Sequence, residues 1–95
     1  MAYIRLSINR PRHGEEQRME DLLRKLTLLT AEQEGCSETF LLRPHDDSGE
    51  IARIAVYTDE AAAGRAANSQ SVMALRSEIH LLAEAGHIER AFFSI

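Results

Sequence analysis

Tyr57, Arg76 and His80 are the side chains in this sequence whose type and spacing best suit chemistry. Tyr57 ends the apolar, alternating run of residues 51–58, and its hydroxyl can orient a ligand. The plainer alternative is a boundary tyrosine with a wet tip. Arg76 lies four residues after Val72, beside an apolar helical stripe. Its guanidinium can offset a negative charge, or it pairs with Asp59, Glu60 or Glu89. His80 stands one turn beyond Arg76, and imidazole is the side chain suited to proton transfer near neutral pH. A solvated helical histidine is the plainer alternative there.

Around these three lies a region with room in it. Residues 61–67 are Ala-Ala-Ala-Gly-Arg-Ala-Ala, and Asn68 follows. Small side chains leave space, so Ala66 and Asn68 are expected on the wall of a ligand cavity. Close packing of a short alanine helix and simple capping by Asn68 are the competing readings. Gly64 weakens that helix by about 1 kcal/mol relative to alanine.

Other chemistries find little support. His13, His45, His80 and His87 show no metal-ligand spacing. Asp46, Asp47 and Glu50 share a loop too short for an EF-hand. Cys36 has no neighbouring basic residue in sequence to activate it. The phosphate-loop, dinucleotide and nucleophile-elbow glycine patterns are absent. No cofactor and no metal are therefore expected.

Ninety-five residues hold one domain, taken as residues 1–95. Eleven basic and fifteen acidic side chains give a net charge of −4, which argues against a nucleic-acid partner. The hydrophobic share of 44% and charged share of 27% are those of a folded chain rather than a disordered one. No apolar run reaches the roughly 20 residues of a membrane span. One cysteine and no export signal lead to the expectation of a cytoplasmic protein.

The elements follow from hydrophobic period. Residues 2–9 alternate, with Ile4, Leu6 and Ile8 on one row and Tyr3, Arg5, Ser7 and Asn9 on the other, as in a strand. From Glu15 to Gln33 the period becomes helical through Met19, Leu22, Leu23, Leu26, Leu29 and Thr30, with Gly35 as the stop. Residues 37–43 and 51–58 form a hairpin about the Asp46–Gly49 turn cluster. Asp59 caps a helix over 60–67. Asn68 or Ser69 starts another, running to about residue 82 on Val72, Leu75, Ile79 and Leu82. Residues 87–95 are the last strand. The order β-α-β-β-α-β, with its second helix split, predicts an α+β, ferredoxin-like antiparallel sheet with helices on one face.

Helices cover only one sheet face, yet both strand faces carry apolar residues. Phe40 and Leu42 oppose Leu41, and Ile54 and Val56 oppose Ile51, Ala55 and Tyr57. An exposed apolar face of that size is unusual for a monomer. A homodimer with the two sheets face to face is expected. Arg5, Arg43 and Arg53 are expected at its rim with their heads in water.

Four segments resemble the antibiotic biosynthesis monooxygenase domains. They are Arg10-Pro11-Arg12-His13-Gly14-Glu15-Glu16, Gln33-Glu34-Gly35-Cys36, Val56-Tyr57-Thr58-Asp59-Glu60-Ala61 and Asn68-Ser69-Gln70-Ser71-Val72. The resemblance spans nearly the whole chain and implies a dimeric α+β barrel with a pocket between sheet and helices. It also implies cofactor-independent oxidation of polycyclic aromatic compounds, haem degradation or isomerase-like activity, in a family that includes many domains with no assigned activity. Tyr57 stands where family enzymes often carry tryptophan, and the family's helix histidines align near Ala66 and Ser71. Asn9 does not match the asparagine of haem-degrading members, so that chemistry is set aside.

The expected function is oxidation of a small aromatic or quinol-type compound. Tyr57 would orient the substrate, and Arg76 or His80 would assist the anion or the proton. A small-ligand-binding or stress-associated dimer without catalysis is the alternative. A solid, cavity-free interior would instead mark a dimerisation module.

Overall fold

The structure, a computed structural model, describes residues 1–95. Its elements run β1 (Tyr3–Asn9), α1 (Glu16–Ala31), β2 (Cys36–Leu42), β3 (Ile51–Tyr57), α2 (Glu60–Ala67), α3 (Gln70–Leu82) and β4 (Ile88–Phe93). The strands form one antiparallel sheet in the order β2-β3-β1-β4. This is the ferredoxin-like α+β fold that the hydrophobic periods predict. No helix is long and apolar enough to cross a membrane.

Local chemistry sets the element boundaries. The helix expected to reach Gln33 ends at Ala31, and Gly35 makes the turn into β2 at φ +87°. A β-carbon at Gly35 would also come within 2.5 Å of the Ala62 β-carbon, so glycine lets α2 pack against this turn. Asp59 caps α2 by accepting from the Ala62 amide at 2.8 Å. Ser69, not Asn68, caps α3, accepting from Val72 at 3.3 Å. Asn68 ends α2.

Two clusters fill the space between helices and sheet. Met19, Leu23 and Leu26 of α1 meet Val72 and Ile79 of α3 over Ile51. Ala62, Ala63 and Ala66 of α2 close on Ala55 and Tyr57. Alanines bring the α2 backbone close to β3, which is the packing role foreseen for this segment. Leu28 lies off the stripe and is exposed.

The sheet has an unusual polarity. On β3, Ile51, Arg53, Ala55 and Tyr57 face the helices, and on β1 their partners are Asn9, Ser7, Arg5 and Tyr3. The apolar row of β1, Ile4, Leu6 and Ile8, faces away. It continues sideways into Ala52, Ile54 and Val56 on β3 and Phe40 and Leu42 on β2. Phe40 and Phe92 remain 46% and 52% exposed. The chain exposes 6162 Å², against about 5,500 Å² from size scaling for a compact monomer of its mass.

Candidate functional site

Polar residues on the inner sheet face have a direct consequence: the interior is not solid. A cavity of about 390 Å³ opens between β1, β3, β4 and α3. Ligand cavities are typically of this size or larger. The cavity-free interior of a pure dimerisation module is not what the chain builds.

Helix α3 supplies one wall by simple spacing. Met73, Arg76, Ser77 and His80 stand at i, i+3, i+4 and i+7, so they share one helix face, and all line the cavity. Val72 and Ile79 are buried beside this face and anchor it. Leu23 and Leu26 of α1 form the apolar wall.

The sheet supplies the charged wall. Ser7 pairs with Arg53 on one side and with Glu89 on the other, so these three form a row across β3, β1 and β4. Glu89 Oε1 accepts from Arg5 Nη2 at 3.2 Å and from Arg76 Nη2 at 3.0 Å. One carboxylate oxygen therefore holds two guanidinium groups, from β1 and α3. His87 Nε2 stands 3.8 Å from Glu89 Oε2. The rings of His80 and His87 meet edge to face at 4.8 Å, and both line the cavity.

Arg53 is placed differently. Its Nη1 donates to Thr30 Oγ1 at 3.2 Å, while its buried Nε has no partner. Burial pulls its pKa down, with the Arg76 and Arg5 charges adding to that and Tyr57 and Glu89 opposing it. Guanidinium remains charged even so. A second, narrow space shares Arg53, Arg76 and Glu89 with the cavity and is also lined by Arg5 and Tyr57. Burial raises the Tyr57 pKa, against the pull of Arg53, so the phenol keeps its proton.

The expected site residues are thus distributed as follows. Tyr57 is buried and lines only the adjoining narrow space, Arg76 is half-buried and lines both spaces, and His80 is exposed on the cavity wall. Asn68 lines the cavity. Ala66 packs in the alanine cluster with Tyr57, and Ala67 is the alanine that reaches the cavity.

Arg5 and Arg53 require a correction, because they stand inside and not at a wet outer rim. Their strands turn the polar row toward the helices, so the arginines share the side of Tyr57. Arg43 is exposed and pairs with Glu20 of α1 at 3.2 Å. Arg5, Arg53, Glu89 and His87 were not read from sequence as site residues. The signal was there for two: Arg53 is in phase with Tyr57, and Arg5 with Tyr3.

The comparisons agree with this architecture. The chain is similar to SnoaB, a cofactor-independent oxygenase from Streptomyces nogalater, at 21% identity and TM-score 0.83, covering 99% of this chain and 92% of that one. It is similar to Rv0793 from Mycobacterium tuberculosis at 17% identity and TM-score 0.91, covering 100% and 96%. It is similar to PA3566 from Pseudomonas aeruginosa at 18% identity and TM-score 0.87, covering 99% and 94%. No curated protein sequence matches it. These likenesses concern the fold. The profile of the antibiotic biosynthesis monooxygenase family matches residues 1–78, and the chain belongs to that family.

Proposed function

We propose that the cavity oxidises a small phenol- or quinol-type aromatic compound with molecular oxygen and no bound cofactor. The observation that carries this reading is the inner wall itself. Arg53, Arg76 and Glu89 line both the apolar-sided cavity and an adjoining narrow space, which Arg5 and the protonated phenol of Tyr57 complete. Such a wall stabilises an aromatic oxyanion, the electron-rich form that reacts with oxygen.

The substrate hydroxyl gives its proton to the imidazole of His80 or His87 on the cavity wall. Tyr57 donates to the resulting oxyanion, and Arg76 offsets its charge. The anion passes one electron to oxygen, and the two radicals join at a ring carbon. The imidazolium returns its proton to the new peroxide. The ring carbon then loses its hydrogen as a proton, the O–O bond breaks, and water leaves. The net change is phenol plus oxygen to quinone plus water.

The working unit in this reading is a homodimer through the outer sheet face, where Ile54, Leu6 and Phe40 form one continuous row. A second copy supplies a self-complementary apolar surface.

Oxygen uptake with a panel of phenols and quinols tests the reaction. Turnover that falls at least about tenfold in Tyr57→Phe supports it, as expected for loss of one donor to a buried anion. Equal rates in the two proteins remove the hydroxyl from the mechanism. Saturable binding without turnover across the panel points instead to a ligand-binding protein.

A further inference from the structure

Charge in the cavity is unbalanced. Arg53 and Arg76 line the cavity with a single carboxylate, Glu89, and Arg5 joins them in the adjoining narrow space, which leaves a formal charge of +2 with the histidines neutral. The chain as a whole carries −4. One of these two charges is shared by Arg5 and Arg76 around Glu89, and the other sits on Arg53 with no counter-ion. Arg5 and Arg76 each lie within 3.2 Å of Glu89 Oε1, whereas Arg53 has no carboxylate within ion-pair distance. Its hydrogen-bond partner is the neutral hydroxyl of Thr30, and its Nε has none.

A mostly buried cation without a counter-ion is costly. A planar carboxylate matches the guanidinium fork and removes much of that cost. The surroundings suit such a group on an aromatic ring. Ser7, beside Arg53 in the sheet, is small and leaves an opening. Leu23 and Leu26 offer an apolar surface next to it.

We infer that the substrate is an aromatic acid, and that Arg53 selects it by holding its carboxylate. This inference rests on the aromatic-ligand reading above and narrows it. Arg53 binds the acid group, while Tyr57 and Arg76 attend the reacting oxygen.

The test compares 1-hydroxy-2-naphthoate with 1-hydroxy-2-naphthamide, each titrated calorimetrically into the intact protein. The acid should bind at least about tenfold more tightly than the amide, the worth of one charge-assisted hydrogen bond. Arg53→Gln should abolish that preference. Should this variant fail to fold, the nuclear resonance of the Arg53 Nε–H in the wild type decides. It should move on adding the acid and stay in place with the amide. Equal affinities in the wild type overturn the selection of acids. A resonance that stays still while acid binds overturns the role of Arg53. Binding of neither compound overturns both this inference and the aromatic reading. Oxygen uptake from neutral quinols alongside equal affinities overturns this inference alone.

Discussion

Arg53 and Glu89 occupy one level of the sheet, separated by Ser7, and form no ion pair. The register places Ser7 opposite both of them. Adjacent strands lie about 4.8 Å apart, so two strand spacings keep the charges apart. Glu89 instead serves Arg5 and Arg76. The candidate site therefore has a partly compensated group, Arg5 and Arg76 around Glu89, and an uncompensated cation, Arg53.

Glu89→Gln should remove the one compensating charge. Arg5 and Arg76 would lose their shared acceptor, and the formal cavity charge would rise by one. Affinity for an aromatic acid should increase several-fold, while stability falls by about 1 kcal/mol, as for partly exposed ion pairs. Parallel ligand titration and thermal melting would check the two effects. Unchanged acid affinity would show that the cavity does not respond to its own charge.

Alkali should weaken the fold through Tyr57. Its folded-state pKa lies above the ordinary 10.0 because burial disfavours the phenolate. The unfolded chain therefore ionises first as pH rises. Tyr57 contributes stability fully present below the ordinary value and lost as pH climbs through the raised one. Denaturant melts across the alkaline range should show this loss, and Tyr57→Phe should remove its share.

Two glycines should respond oppositely to alanine. Gly35 has φ +87°, and its added β-carbon would meet Ala62. Gly35→Ala should cost about 1–3 kcal/mol. Gly64 lies inside α2 with open space around it. Gly64→Ala should stabilise by about 0.5–1 kcal/mol. Chemical denaturation of both variants would measure the difference. Equal effects would contradict the close approach of α2 to the α1–β2 turn.

The outer sheet face should hold two copies together. Ile54 lies on the central strand β3, in one row with Phe40 and Leu6. Ile54→Lys would place a charge in the middle of the apolar surface. Sedimentation should find a dimer for the wild type and a monomer for the variant. A wild-type monomer at micromolar concentration would remove the dimer.

Much of the fold was legible because hydrophobic period is a local property. The alternation of residues 2–9, the helical stripe from Met19 to Thr30 and the cap at Asp59 each need only near neighbours along the chain. The observed elements begin and end within about two residues of those expectations, the usual looseness of element ends. The final strand, expected over 87–95, spans Ile88–Phe93.

The site was legible only in part. Tyr57, Arg76, His80 and Asn68 could be singled out from type and position. Ala66 and Ala67 are adjacent alanines, and only packing says which one is covered by Tyr57's cluster. Glu89 was named as one of three carboxylates for Arg76, and three-dimensional proximity picked it.

Period alone sorts each strand into two rows, and it did so correctly for β1 and β3. It carries no sign: an alternating strand reads the same whichever row meets the helices. The sign came from pairing, because Ile51, Ala55 and Tyr57 on β3 are buried under the helices and the register brings Asn9, Arg5 and Tyr3 to the same side. Arg53 is carried inside with them, and the apolar row of β1 is left outside. Contacts between residues far apart in the chain decided where the charges went, and those contacts exist only once the sheet has formed.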